Sequence, residues 1–176
     1  MSMTLNMAIL GKYMSKVFVE TGTYDGRGSI AAVFAGYQKV HTIEVDAQRV
    51  LMARKRLMGF PEVEVYYGDT IDILPRILDG LEERATIFLD AHPIGFGDPS
   101  RGGRIKYPLV EELRLIKLNS KCKDHSILID DVNAFKYWSA TIEEISKMLL
   151  EINPAYLISM EPNSSGALDM MGARLV

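Results

Sequence analysis

Cysteine is nearly absent from this chain of 176 residues: Cys122 stands alone, and one thiol forms no internal disulfide, as expected in a reducing compartment. Long apolar runs are also missing, so no stretch reads as a bilayer-spanning helix. Residues 1–16 lack the basic start, continuous apolar centre and small-residue cleavage site of a secretory leader. These gaps predict a cytoplasmic protein with no membrane partner. Positive charge is not in excess either, because 20 Lys and Arg face 23 Asp and Glu, giving a net charge of -3 and a pI near 5.6. Without a basic field to grip a phosphate backbone, nucleic acid is a poor partner. No internal repeat, low-complexity segment or linker is evident, and the length suits a single domain over 1–176.

The main signal that is present lies in 17–30, Val-Phe-Val-Glu-Thr-Gly-Thr-Tyr-Asp-Gly-Arg-Gly-Ser-Ile. A β-branched apolar run ends in Glu20, then Gly22, Gly26 and Gly28 follow, and an Ala/Val/Phe helical pattern begins. The sequence therefore predicts strand, tight loop and helix. Such a loop brings backbone close to a ligand at an open helix N-terminus. The glycine spacing is neither G-x-G-x-x-G nor a Walker loop with its lysine, which argues against a simple pyrophosphate. Glu20 at the strand tip and Asp25 in the loop would repel phosphate and attract an ammonium or sulfonium group.

Downstream, helices are expected over 29–36, 47–58, 70–78, 108–118 and 141–152, with strands over 40–46, 63–67, 85–90, 126–130, 156–160 and 171–176. Residues 3–15 have the spacing of a further short helix. The basic triplet Arg54, Lys55 and Arg56 lies off the apolar stripe of its helix and reads as a solvated face. Alternation of this kind predicts an α/β fold with a doubly wound, mostly parallel sheet of seven strands, closed by an antiparallel hairpin and binding ligands at its carboxyl edge.

The loop resembles the first motif of class I S-adenosylmethionine-dependent methyltransferases, acid-x-Gly-x-x-x-Gly-x-Gly, and the order of elements resembles their Rossmann-like fold along nearly the whole chain. That resemblance implies S-adenosylmethionine as cofactor, bound by Glu20, Gly22, Thr23, Tyr24, Gly26 and Gly28. It also implies that Glu44 takes the ribose hydroxyls, a carboxylate having two acceptor oxygens for two adjacent donors. Asp69 and Thr70 would approach the adenine amino group. Asp46 competes with Glu44 for the ribose, or caps the following helix, and Asp69 could equally form a Gly-Asp turn.

A second cluster combines Asp90 and His92 with Asp130 and Asp131 at a neighbouring strand end. Three carboxylates in a partly buried cleft repel one another unless a cation or protons compensate. Carboxylate-only ligation favours a hard ion, Mg2+, Mn2+ or Ca2+, over zinc; the alternatives are a helix cap for the paired acids and a hydrogen-bonded loop residue for His92. Phe88–His92, Glu111–Leu113 and Ile127–Asp131 resemble the metal-dependent macrocin and novobiocin sugar O-methyltransferases. The resemblance implies Asp90, Asp130 and Asp131 as magnesium ligands. His92 stands where those enzymes place a basic aspartate, a departure that leaves the base open, although histidine accepts a proton readily near neutral pH. The expected reaction is O-methylation of a small hydroxylated acceptor, sugar or polyketide-like. The metal would stabilise the deprotonated oxygen while His92 takes the proton.

The loop from His92 to Lys106 is long for a compact domain and is expected to form a lid. Arg101, Arg104 and Lys106 could hold an anionic acceptor, though such residues ordinarily solvate a loop. Phe96, Tyr107 and Trp138 could supply an apolar wall. The alternatives are an S-adenosylmethionine-binding module without transfer activity, an N-methyltransferase of the same fold, and an NAD enzyme, against which the glycine spacing and Glu20 argue. A homodimer covering the cleft is the partner that so short a chain invites.

Overall fold

The computed structural model describes residues 5–93, 103–119, 123–138 and 140–175. The strands are β1 (Val17–Thr21), β2 (Lys39–Glu44), β3 (Val63–Tyr67), β4 (Ala85–Leu89), β5 (Ser126–Ile129), β6 (Leu157–Pro162) and β7 (Leu168–Arg174). The helices are α1 (Met7–Lys12), α2 (Arg27–Ala35), α3 (Ala47–Leu57), α4 (Thr70–Gly80), α5 (Leu109–Asn119) and α6 (Ile142–Ile152). They form one seven-stranded sheet in the order β3-β2-β1-β4-β5-β7-β6. Strands β1 to β5 pair in parallel, and β7 runs antiparallel to both β5 and β6. The doubly wound sheet with its terminal hairpin is the architecture expected from the sequence.

Every residue of β4 and β5 is buried, which explains why both read as continuous apolar runs rather than alternating ones. Successive side chains feed opposite faces. Phe18, Val40, Phe88, Leu128 and Met170 pack with Leu5, Ile9, Leu10 and Tyr13. Val19, Ile43, Ile87, Ile127 and Met171 pack under Leu74, Leu78, Leu113, Ile116, Ile145 and Leu149. Leu113 is 1% exposed, and Leu113→Ala would cost about 2–5 kcal/mol.

Side-chain caps start several helices where the sequence turns polar. Asp46 accepts from Arg49 N at α3, Asp69 from Ile71 N at α4, and Thr141 with Glu144 forms a capping box at α6. Helix α2 differs, since its N-cap is Gly26 in the left-handed region and no side chain caps it.

Three elements depart from expectation. Helix α1 is shorter than 3–15, beginning after the Asn6 cap. A 3-10 helix, Val132–Tyr137, follows β5 where no element was expected. The hairpin strands reach closer to their turn, which Asn163 Oδ1 stabilises by accepting from Ser165 N and Ala167 N. Of the expected lid, 94–102, with Phe96 and Arg101, lies outside the described residues, as does Cys122.

The register decides where chemistry can collect. Thr21 pairs with both Ile43 and Leu89, and Leu89 with Ile129. The ends of β2, β1, β4 and β5 are therefore level, and Glu44, Gly22, Asp90 and Asp130 stand along one edge. The chain reverses its winding between β1 and β4, where a doubly wound sheet opens a crevice.

Candidate active site

The glycine loop is locked onto that edge by backbone bonds. Gly22 N and Thr23 N both donate to Ile43 O at 3.0 Å. Gly22 has φ +85, and a Cβ there would lie 2.6 Å from the Asp90 carbonyl oxygen, so both conformation and space require glycine. Tyr24 also has a positive φ of 49. Its N–H donates to Glu44 Oε2 at 2.9 Å, while Asp46 N donates to Glu44 Oε1 at 2.9 Å. Glu44 thus ties the β1 loop to the β2 loop through both oxygens, and burial raises its pKa. Asp46 takes the capping alternative.

Glu20 is turned into the fold. Its Oε2 accepts from Ser29 Oγ at 2.6 Å and Thr42 Oγ1 at 2.7 Å, and Thr42 in turn meets Thr23 Oγ1 at 2.7 Å. Burial pushes the carboxyl up to about 8 against those hydrogen bonds, so near pH 7 it is largely protonated. A Cβ on Gly28 would fall 1.9 Å from Glu20 Oε1, so this glycine makes room for the carboxyl. Asp25, the other loop acid, is paired with Arg27 and Arg56. Arg56 is thereby part of the loop's support, and Arg54 donates to Val65 O, so the basic triplet does more than meet solvent.

Two adjoining cavities share Gly22, His92 and Pro93. The smaller is lined by Glu44, Arg49, Asp69, Thr70 and Lys106 among others. The larger, about 520 Å³, is lined by Glu20, Thr23, Tyr24, Gly28, Asp90, His92, Asp130, Asp131, Tyr107 and Trp138 among others. Of the residues expected to bind cofactor, Gly26 alone lies outside both linings, capping α2 against Leu57. Asp69 caps α4 and also accepts from Arg104 N at 2.7 Å, which fastens the far end of the long loop. Arg104 pairs with Asp72 at 2.6 Å, while Lys106 lies over the Tyr107 ring.

At the junction of the cavities, His92 Nε2 lies 2.9 Å from Asp131 Oδ2 and 3.3 Å from Asp90 Oδ1. Its Nδ1 is 3.3 Å from the Pro93 carbonyl. The ring rests 5.1 Å from Trp138, which stacks on Tyr107 at 5.3 Å. Burial alone would lower the His92 pKa, but Asp131 and Asp90 outweigh it and push it up to about 11. Asp131 has φ 52 and ψ 44, and its side chain caps nothing in the 3-10 helix it precedes. The left-handed backbone, which aspartate adopts more readily than most residues, turns the side chain towards the imidazole. Asp130 is buried and its Oδ1 accepts from Asp131 N at 2.8 Å, fixing that turn.

These donors do not fit the divalent ion expected from the sequence. The oxygens of Asp90 and Asp131 that would face a metal converge on the imidazole, and Asp130 holds a backbone N–H. Among the described residues, no group of three or more His, Cys, Asp or Glu is placed to hold a metal ion.

Sequence reasoning placed Glu112 in a family-like segment but gave it no role. It lies on α5 and is 1% exposed, hydrogen-bonded to Thr70 and Thr21, with Oε1 unpartnered. Burial pushes it up to about 7. Thr21 Oγ1 in turn accepts from Asp90 N at 3.2 Å, so the carboxyl supports the end of β4. A signal existed: Glu112 falls on the same stripe as Leu109 and Ile116, where the helical period calls for an apolar residue.

No protein-family model matches the sequence, and no curated protein matches it. Solved structures do share its fold. One is the O-methyltransferase from Bacillus cereus in complex with S-adenosylhomocysteine, with TM-score 0.66, 18% identity, and coverage of 96% of this chain and 78% of that one. Another is the O-methyltransferase TomG from Streptomyces achromogenes, involved in tomaymycin synthesis, in complex with S-adenosylmethionine (TM-score 0.62, 17% identity, 97% of this chain and 77% of that one). Spermidine synthase from Thermotoga maritima is similar too (TM-score 0.64, 13% identity, 95% of this chain and 56% of that one). The chain therefore has the fold of the class I S-adenosylmethionine-dependent methyltransferases. Because that fold also carries a synthase, it shows architecture and leaves chemistry to the site.

Proposed function

We propose that this protein is an S-adenosylmethionine-dependent methyltransferase acting on a hydroxyl of a small acceptor. The observation that carries the reading is a continuous cleft along the strand ends. It joins a glycine-cradled loop tied to Glu44 with a polar cluster of Asp90, His92 and Asp131 walled by aromatic rings. The residues fit the cofactor: Gly22, whose missing Cβ lets the loop lie against the Asp90–Ala91 backbone, lines both cavities, and Glu44 lines the smaller one with a carboxylate that suits a diol. Asp69 and Thr70 line the adjoining cavity where the base would lie. When bound, S-adenosylmethionine supplies a methyl group activated by its sulfonium charge.

The protein's own part is positioning and proton handling. Tyr107 and Trp138, stacked with each other, form a flat apolar wall that orients an acceptor and excludes water. The Asp90–His92–Asp131 cluster stands at the junction of the two cavities, where the acceptor's proton has to go. Glu20, protonated when the loop is empty, ionises as a cationic group approaches, because the positive charge favours its charged form. No metal is assigned a step. A nitrogen acceptor is the second reading, favoured by the carboxylates and aromatic rings that line the same cavity and suit an ammonium precursor. The cytoplasm fits the acidic, cysteine-poor chain, and among the described residues no helix is long and apolar enough to cross a membrane.

The test is methyl transfer from labelled S-adenosylmethionine to a panel of phenols, sugars and amines, read as S-adenosylhomocysteine formed. Turnover on a hydroxylated acceptor supports the reading, and turnover on amines alone establishes the second. Binding of S-adenosylhomocysteine with no turnover on any member would leave a binding module and overturn both.

A further inference from the structure

The sequence requires a cation or protons between Asp90 and Asp131, and the structure shows what lies there. The His92 ring nitrogen is within hydrogen-bond distance of both carboxylates, at 3.3 and 2.9 Å. Its other nitrogen faces the Pro93 carbonyl at 3.3 Å, so both ring nitrogens have oxygen partners, and a ring carrying both hydrogens satisfies the carbonyl and the carboxylates together. Trp138, 5.1 Å away, offers a π-face to the same ring, a further contact that favours positive charge. The left-handed turn at Asp131, fixed by Asp130, aims the second carboxylate at the imidazole instead of at the helix it precedes.

We propose that His92 is a built-in cation, its imidazolium filling the position between Asp90 and Asp131 where a divalent ion would have to sit, so that this site works without a bound metal. The consequence for transfer rests on the methyltransferase reading, whereas the exclusion of metal does not. A cationic His92 has no lone pair to act as base, and the proton passes to a carboxylate. Asp131, with 40% of its side chain exposed, is the accessible one. The acceptor O–H bond breaks with its proton going to the Asp131 carboxylate. The oxygen's electron pair forms the new O–C bond, and the pair of the broken C–S bond stays on sulfur. The imidazolium, hydrogen-bonded to Asp131, keeps that carboxylate in place and offsets the negative charge developing on the acceptor oxygen.

The experiment titrates the full chain with Mn2+ alone, followed by electron paramagnetic resonance, in wild type, His92→Ala and His92→Ala/Asp131→Asn, each checked for a native thermal transition. In wild type, Mn2+ is expected to stay in its free, hydrated form. In His92→Ala, removal of the ring leaves converging carboxylates, and Mn2+ affinity is expected to rise at least about tenfold. Adding Asp131→Asn should abolish that gain. Tight Mn2+ binding by wild type that Asp131→Asn removes would overturn the proposal, and so would a folded His92→Ala protein that gains none. Since no cofactor is added, failure of the methyltransferase reading would show separately, as loss of S-adenosylhomocysteine binding.

Discussion

Glu20 and Glu161 are both buried glutamates, on β1 at the middle of the sheet and on β6 at its edge, yet their surroundings shift their pKa values in opposite directions. Glu161 accepts from Lys12 Nζ, Tyr13 OH and Ser159 Oγ at 2.5, 2.7 and 2.5 Å. Burial works against its ionisation, and the Lys12, Ser159 and Tyr13 hydrogen bonds overcome it and hold the carboxyl below its usual range. Among the described residues Glu20 receives only hydroxyls, and burial pushes it up to about 8. Each carboxyl group depends on a glycine: a Cβ on Gly28 would meet Glu20 Oε1, and one on Gly172 would meet Tyr13 OH, each at 1.9 Å. What separates them is the lysine. With it, Glu161 becomes a closed anchor fastening α1 to the hairpin; without it, Glu20 keeps a raised pKa on the wall of a cavity.

The strongest way to break this comparison is Glu161→Ala. It leaves the buried Tyr13 hydroxyl with Ser159 Oγ alone and frees Lys12, and should cost about 2–3 kcal/mol in urea unfolding with S-adenosylhomocysteine affinity unchanged. A loss below about 1 kcal/mol would show that the anchor is not one. Next, Gly28→Ala should cost about 1–3 kcal/mol by overpacking and weaken S-adenosylhomocysteine binding. Combined with Glu20→Ala it should cost less than the sum, because the second change removes the colliding oxygen.

A smaller effect separates the two by the sign of their pH dependence. Glu20 holds its proton more tightly when folded, so its contribution is complete below about pH 4.5 and fades as pH rises towards 8. Glu20→Gln should flatten that fall, on the order of 2 kcal/mol across the window, in stability measured from pH 5 to 8. Glu161, whose folded pKa is lowered, contributes in the opposite sense: its share is lost as pH falls, and Glu161→Gln should flatten the acid side instead.

The smallest expected effect comes from His125, beside the starts of β4 and β5, whose Nδ1 accepts from Ala85 N while Nε2 is unpartnered. Burial pushes it down to about 4. The unfolded chain therefore takes up the proton first as pH drops below about 6.5, and stability should fall by on the order of 1–2 kcal/mol towards pH 4. His125→Asn, which keeps an acceptor for Ala85 N, should remove that limb in thermal melts across the same pH range.

How far the sequence revealed the molecule follows the same division. The sheet was legible because β4 and β5 are continuous apolar runs and the helices carry clear stripes. The gathering of polar residues at one edge was legible because Gly22, Glu44, Asp69, Asp90 and Asp130 each end or follow a strand, and the ends of β2, β1, β4 and β5 are level in this topology. Orientation was not. Whether Glu20 looks out to a ligand or in to Ser29 and Thr42 depends on a neighbouring strand and helix that local pattern does not specify. The three acids read as a metal set because they stand at two neighbouring strand ends in segments that resemble a metal-dependent family, whereas His92 settling between two of them is a long-range fact of the folded chain. Asp131 was open to reading as a cap because sequence does not show a left-handed backbone at a non-glycine residue. The 3-10 helix after it lacked the length to announce itself by period.

The claim that the glycine loop and Glu44 form a cofactor cleft is tested most directly by calorimetric titration of the purified protein with S-adenosylhomocysteine, in parallel with NAD. The account predicts saturable binding of S-adenosylhomocysteine alone, weakened in Glu44→Gln and unchanged in Glu161→Gln. Binding of NAD, or of neither nucleotide, would contradict it.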